Sequence, residues 1–544
     1  MKRESKATSV TAIIFADAMP APIGEPNPEI SSSASPEPRV SRLDPWLLIV
    51  FVLTILTCMP FLHMVYGLGD EGVLLNGAER IRHGETIYKD FFEFLPPGGF
   101  MLTVWWWGIA GVSVLSARLL GIIIIVGVAC FTYLAVKIIT RSGPYSAMIT
   151  IAWVVSSQGM LIQLNHHWLT TCLCMIAFYL ALASVGRPQQ RPRLAFWAGT
   201  TAAAAVMITP SCGVLTWLAA ATFFMRHGRM ARLTYLMGSA LVPAYVLSCL
   251  QAHHDLASAY ADCIVFPAAH YASIQGVPFG FWEGAQTYPL ASLFPLAGVL
   301  TIFVCASNGL HRLREGRLQI SLAFAFAGFI GCFPRPDIAH IAYGAPLALP
   351  LFAYCAATLA QQCQPIFVTI LRAGLIILYV PSALSFAYIS NMALHTPITP
   401  TPRGIVSLFG KTGTADMLER VAATPIGAQY FFYPNLQYMS FLTAREQVSK
   451  YDLFTPGYTL ASQYQDACLS VMRHADYVII SRQGADPTFL KRDFPAMQNP
   501  NPPEKQAFET ALNRGFNLVA VDKSFELRHR NAAASTALCT GITP

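Results

Sequence analysis

The sequence predicts a polytopic α-helical membrane protein of about eleven spans plus an interfacial helix, followed by a small extracytoplasmic α/β domain. Three observations predict it. Of the 544 residues, 54% are apolar and only 12% are charged, against about 25% charged in a soluble globular domain. Apolar runs of near-spanning length recur as far as residue 390. Beyond that point charges return and the apolar runs shorten. A mean hydropathy of +0.46 agrees. Together these exclude an ordinary cytosolic enzyme, a disordered scaffold and a protein that grips nucleic acid on a basic face. The net charge of +7 is small for this length, so the placement of charges matters more than their sum.

Residues 1–44 are rich in Ser, Ala, Glu and Pro, including Pro20, Pro22, Pro26, Pro28, Pro36 and Pro38, and read as a disordered cytoplasmic tail. The apolar stretch 10–15 is shorter than the ~7 residues of a signal-peptide core. The transmembrane domain is expected over 45–390. Its runs lie at 46–66, 117–136, 145–161, 168–186, 194–208, 212–225, 233–250, 288–306, 318–333, 341–360 and 365–390. The pair at 194–225 is parted only by Thr209-Pro210-Ser211-Cys212-Gly213, so it reads as two spans or as one broken helix.

Orientation follows from short loops rich in Lys and Arg, which stay in the cytoplasm. Lys137/Arg141, Arg187/Arg191/Arg193, Arg226/Arg229/Arg232 and Arg312/Arg314/Arg317 all fall on one side, with the basic residues of the tail. Of the later loops on the other side, only one holds a basic residue, Arg335, and the long 251–287 loop has none. Segment 96–111 is apolar and carries Trp105-Trp106-Trp107. A full crossing there would reverse every later loop, so it reads as a re-entrant or interfacial helix on the outer side. The N-terminus is then inside the cytoplasmic (inner) membrane and the C-terminus outside.

The C-terminal domain is expected over 391–544. Strands are predicted at 429–433, 477–481 and 516–521, and helices at 460–474 and 504–513. No GxGxxG, no phosphate-binding GxxxxGK[ST] and no fixed-period repeat occurs. The 13 cysteines include no CxxC pair, and most behave as small hydrophobes in apolar runs. Cys468 and Cys539, in the tail domain, read as unpaired thiols, with pairing open to them only if that domain is extracytoplasmic.

Sidedness sorts the candidate site residues. Carboxylates and imidazoles gather where spans meet the outer face, and ionisable groups beside the apolar slab default to a functional reading. Asp70-Glu71 follows the first span in Gly67-Leu68-Gly69-Asp70-Glu71-Gly72. A carboxylate there accepts a proton from a hydroxyl nucleophile, or the pair simply caps the helix expected over 72–83. Asp90 and Glu93 lie further along the same loop. Asn165-His166-His167 fills a short outer loop. Adjacent imidazoles diverge on a helix and make a poor zinc pair, so hydrogen bonds to an anionic phosphate are preferred over metal binding. Arg335, Asp337 and His340 precede the run at 341–360. Asp337 and His340, three apart, share a helix face; Asp337 sets the charge of His340 while Arg335 clamps a phosphate, or the trio is a salt-bridged helix start. His253-His254-Asp255 is a weaker cluster in a long loop. The stretch Phe91-Phe92-Glu93-Phe94-Leu95-Pro96-Pro97-Gly98-Gly99-Phe100 suits a helix lying on the membrane near a lipid-linked substrate, or an interfacial anchor.

The order of a first span, an outer-loop Asp-Glu, Tyr88-x-Asp90, Pro96-Pro97-Gly98 before an aromatic helix, and Ala117-Arg118-Leu119 resembles the GT-C glycosyltransferases. Within them it is similar to the bacterial branch related to protein O-mannosyltransferases and the lipid A aminoarabinose and galacturonic acid transferases. The resemblance covers about 45–390, and the tail is similar to the soluble domains that follow in many relatives. It departs at Leu95, where some relatives have Lys, and at Asn165-His166-His167, where some have Asp.

The resemblance implies a sugar donor carried on a polyprenyl phosphate and a lipid, glycan or protein acceptor, with no nucleic acid. It carries the first-loop acid onto Asp70, with Glu71 beside it. Asp90, Asn165, His166, His167, Arg335, Asp337 and His340 are the expected substrate-binding residues. No cofactor is required, and no convergent carboxylate cage in the sequence calls for the Mg²⁺ or Mn²⁺ that would bridge Asp70 and the phosphate. The rival reading is a transporter or flippase of a lipid-linked sugar, which would be expected to show repeats and midplane polar residues.

Overall fold

A computed structural model describes residues 44–65, 70–158, 163–282, 284, 287–362, 365–408 and 414–542. The tail 1–43 and the stretch Gly67-Leu68-Gly69 lie outside the described residues. The helices of the apolar region are α1 (Pro45–Cys58), α2 (Asp70–Arg82), α3 (Gly98–Ala110), α4 (Val114–Thr140), α5 (Gly143–Ser157), α6 (His166–Val185), α7 (Arg191–Val206), α8 (Pro210–Phe224), α9 (Gly228–Ala252), α10 (Leu256–Tyr260), α11 (Phe266–Gln275), α12 (Tyr288–Asn308), α13 (Gly316–Ile330), α14 (Ile338–Gln362) and α15 (Pro365–His395). Every apolar run read from the sequence coincides with one of them. Among the described residues six are long and apolar enough to cross a membrane: α4, α6, α9, α12, α14 and the 372–395 part of α15.

Polar residues at the ends set the boundaries. Ser113, Ser142 and Asn165 each accept a backbone N–H in the first turn of α4, α5 and α6, as N-caps do. Arg141 closes α4 in the left-handed conformation. Run 194–225 resolves into two helices, with Pro210 at the first position of α8. The chain folds back so closely that a Cβ at Gly213 would collide with the backbone of Ala205 and Val206. The 251–287 segment, expected as a loop, is largely helical: α10 and α11 join through a π-turn at Ala261–Val265. Its charge-poor, Ala-rich sequence propagates helix, and Phe266 packs on Phe92 and Phe94. Phe92 and Phe94 therefore sit in an internal aromatic cluster. The exposed face falls to α3, where Trp105 and Ile109 point outward.

The C-terminal region opens with an antiparallel hairpin, β1 (Ile398–Thr401) and β2 (Gly404–Ser407), tied to the end of α1 through Ser407 and Val65. A mixed sheet follows in the order β3-β4-β6-β5: β3 (Tyr430–Tyr433), β4 (Tyr477–Ser481), β5 (Phe516–Val521) and β6 (Phe525–Arg530). Its helices are α16 (Thr414–Ala422), α17 (Gln437–Thr443), α18 (Ala461–His474), α19 (Arg482–Ala485), α20 (Pro487–Asp493) and α21 (Pro503–Gly515). Strand β6 was not expected. It alternates buried Phe525 and Leu527 with charged residues, so it forms no apolar run. Cys468 and Cys539, expected as free thiols, form a disulfide across 71 residues. Both lie in one buried core, with α18 and the C-terminal turn packed together, and sequence separation hides that proximity.

Helix α2 is clasped between the two parts. Gly72 lies against the backbone of Tyr438 and Gly77 against the ring of Phe100, neither leaving room for a Cβ. Asn76 and Arg80 each reach Asp452 at 3.0 Å. Glu79 pairs with Arg403. Glu71, 3% exposed, pairs with the buried Arg118. The Glu71 carboxylate also accepts the Leu164 N–H at 3.0 Å, and Arg118 donates to the Met64 carbonyl. Removing one partner of such a pair strands the other charge in a low dielectric. Glu71→Ala is therefore expected to cost about 3–5 kcal/mol of stability. Glu71→Gln, which keeps an acceptor, is expected to cost less, and thermal unfolding of the purified protein in detergent measures both.

Candidate active site

Helix α2 presents its first residue, Asp70, to solvent while Glu71, Asn76, Glu79 and Arg80 are spent in the clasp. Glu71 and Glu79 are paired, and Asp70 has no hydrogen-bond or ion-pair partner among the described residues. Its charge reaches His166, Tyr271, Tyr343 and Tyr458. The free carboxylate thus faces an imidazole and a set of phenols drawn from four separate segments.

Behind it stands a cluster of rings. The centroids of His166 and His167 are 4.0 Å apart, and those of His167 and His340 4.8 Å. Tyr343 stacks on His167 at 4.7 Å. Asn165, fully buried, accepts the Trp168 N–H with its carbonyl and donates its amide to the Tyr343 hydroxyl at 2.7 Å. It caps α6 and fixes Tyr343 at once.

Asp337 organises the other side. One carboxylate oxygen meets the His340 backbone N–H at 3.0 Å and the His340 Nδ1 at 2.7 Å; the other accepts Arg335 Nε at 2.7 Å. Burial raises the Asp337 pKa, but the His340 hydrogen bonds and charge, with Arg335, outweigh it and hold the carboxyl below its usual range. An ionised carboxylate only accepts, so Nδ1 of His340 carries the proton and Nε2 is left for a ligand.

Arg335 is less available than expected. Nη1 donates to Gln275 at 2.9 Å and Nη2 to the Asp493 carbonyl at 3.1 Å. The guanidinium lies between the rings of Trp282 and Phe494, 4.8 and 5.1 Å from their centroids. Three of its donors are engaged, so it acts first as a bolt between α11, α14 and the C-terminal region. Glu71, expected beside Asp70 as a catalytic acid, is instead consumed by Arg118. Asp90 stands apart from the ring cluster. It is exposed and closes a turn by accepting the Thr86 N–H at 2.7 Å. His253 and His254 are exposed, and Asp255 beside them is buried.

The sequence reading missed Tyr343, Tyr271, Gln275 and Tyr458. Tyr343 had a signal, lying three residues after His340 on the same helix face. Tyr271 and Gln275 sit in a segment taken for a loop, and Tyr458 arrives from the sheet region with no local signature. Among the described residues no group of three His, Cys, Asp or Glu side chains is placed to hold a metal ion.

A bundle of long apolar helices with its polar groups gathered at one end, beneath a mixed sheet region, is the GT-C membrane fold. In particular, the chain is similar to ArnT from Cupriavidus metallidurans. The crystal structure of ArnT bound to undecaprenyl phosphate shares 13% identity over 91% of this chain and 99% of that one, at a TM-score of 0.54. Its apo structure gives 12% identity, coverage of 91% and 98%, and a TM-score of 0.57. The mycobacterial arabinofuranosyltransferase AftD matches at 14% identity and a TM-score of 0.50, over 91% of this chain and 40% of that one. No family model matches the chain, and no curated protein matches it by sequence. The resemblance drawn from the sequence holds at the level of fold.

A second titrating group borders the site. Glu93 is buried and accepts the N–H groups of Phe94 and Leu95 at 2.9 and 3.2 Å. Burial outweighs those bonds and pushes its carboxyl up to about 8. The raised value fixes the sign: folding binds a proton between the ordinary glutamate range and about pH 8, so stability falls as pH rises through that window. The native protein is expected to lose thermal stability from about pH 5 to about pH 8. Glu93→Gln is expected to lose less over the same range, and identical slopes would place the titration elsewhere.

Proposed function

We propose that this chain is a membrane glycosyltransferase that moves a sugar from a polyprenyl-phosphate-linked donor to a hydroxyl of a lipid, glycan or protein acceptor. The observation that carries the reading is the pairing of one free carboxylate, Asp70, with the His166–His167–His340–Tyr343 cluster at the same end of the bundle. The fold it shares with ArnT and AftD supports the class of reaction, since ArnT has been crystallised with undecaprenyl phosphate. The bundle would cross the cytoplasmic membrane eleven times, with the N-terminus inside. The Cys468–Cys539 disulfide supports a C-terminal region on the oxidising, outer side.

In the proposed reaction Asp70 orients the acceptor hydroxyl and takes its proton. The oxygen attacks the anomeric carbon in line, and the bond to the phosphate oxygen breaks with inversion. Polyprenyl phosphate leaves with the electron pair, its charge met by an N–H of His167, by the Nε2–H of the His340 ring when both its nitrogens are protonated against Asp337, and by the field of Arg335. The scheme needs no metal. Asp337 orients the His340 ring and balances its charge, while Asn165 and Tyr343 hold the ring of His167.

The test is sugar transfer in membranes supplied with polyprenyl-phosphate sugars. Asp70→Asn is expected to lower turnover by about 10²–10⁴, with the protein still folded. Retained turnover would remove Asp70 from the chemistry. Movement of a lipid-linked sugar across vesicles without any transfer would instead establish a transporter.

A further inference from the structure

A cavity lies away from the imidazole cluster. It is a cleft of about 530 Å³ between α5, α12, α14 and α15, within the ~300–1,000 Å³ of small-ligand sites. Three contacts frame it. Trp153 donates to the Ala342 carbonyl, Thr301 meets Cys355, and Ser382 donates to Ser156. The cleft opens beside Met148 and Ile376, which line it and are 40% and 44% exposed. The wall is Leu, Ile, Ala and Phe apart from a few groups, of which only Arg372 is charged.

Arg372 demands an account. A cation within a span is costly and is normally paired or solvated. None of the four helices around the cleft contains an Asp or a Glu. The polar group facing it is the hydroxyl of Tyr145, which lies in the reach of its charge. Tyr145 sits in the first turn of α5, just after Arg141. The same end of α14 bonds through Tyr354 to Glu315, beside the basic turn Leu310–Arg314. Arg372 therefore stands toward the basic end of the bundle. His340 is at the other: from residue 340 to residue 360, which lines the cleft, α14 rises about 30 Å.

We propose that this cleft binds an anionic diacyl phospholipid of the leaflet opposite the transfer site. An acyl chain fills the apolar part, and the phosphate is held by Arg372 and the Tyr145 hydroxyl. A lipid anchored by its phosphate at Arg372 cannot also present that phosphate to His167 and His340, so the occupant is not the reacting donor. The inference does not depend on sugar transfer, and its readout is lipid retention.

The full-length protein in detergent, mixed with phosphatidylglycerol or phosphatidylcholine, is weighed intact by native mass spectrometry. Phosphatidylglycerol is expected to be retained over phosphatidylcholine. Arg372→Gln, which removes the charge, and Ala360→Trp, which fills the cleft, are each expected to lower its retention about tenfold. Inorganic phosphate is expected not to displace it. Equal retention of the two lipids overturns the proposal, as does retention unchanged in Ala360→Trp, or displacement by inorganic phosphate or undecaprenyl phosphate. Should Arg372→Gln fail to fold, the lipid preference of the native chain and the Ala360→Trp result decide.

Discussion

The buried Glu71–Arg118 pair is the constraint on which the rest of the structure depends. Two charges out of water are tolerated only when their remaining hydrogen-bonding capacity is also met. Here Glu71 additionally accepts from Leu164 and Arg118 donates to Met64. The four residues join the stretch after α1, helix α2, helix α4 and the loop that carries the histidines. Successive residues on a helix point about 100° apart. Once Glu71 is committed inward, Asp70 must face elsewhere, and it is left as the exposed acid at the head of α2. The pair positions a carboxylate that it does not itself contain.

Asp337 plays the corresponding part on the opposite wall. It receives Arg335, the His340 ring and the backbone of α14 on two oxygens. Arg335 extends that hub into the C-terminal region through the Asp493 carbonyl and Phe494. On the Asp70 side, Asp452 does the same through Asn76 and Arg80. The sheet region is thus bolted over the end of the bundle at two points flanking the ring cluster.

What the sequence made legible follows from the same physics. Apolar runs announce helices because only a helix or a closed barrel satisfies its own backbone in lipid, and each of the predicted runs is helical. The gathering of His166, His167, Asp337 and His340 was legible through sidedness, without any contact being known. Four things were hidden. The choice between Asp70 and Glu71 depends on Arg118, 47 residues away. The engagement of Arg335 depends on Asp493, 158 residues away. The helical character of 251–287 and the strand β6 were missed because the reading looked for apolar runs. Helix α11 is held by scattered aromatic contacts and β6 by a strict alternation, and neither leaves such a run.

Identities of 12–14% with the solved neighbours show how little side-chain detail the architecture requires. A bundle needs apolar surfaces that pack, a few small residues where helices touch, and a tie that registers the short helices α2 and α3 against the rest. Many sequences meet those terms, so the architecture leaves the chemistry to the side chains of the site. Selectivity then has to reside in groups the fold leaves free to vary. Here those are the adjacent imidazoles of His166 and His167, the Tyr271–Tyr458 aromatic wall and the uncharged Leu95 where the chain enters α3. Under the proposed function, a phosphate at this cluster would meet rings and one engaged arginine, with the uncharged Leu95 at the α3 entrance. Such an arrangement would hold an anion by short-range imidazole hydrogen bonds more than by long-range attraction, which screening by salt weakens far more.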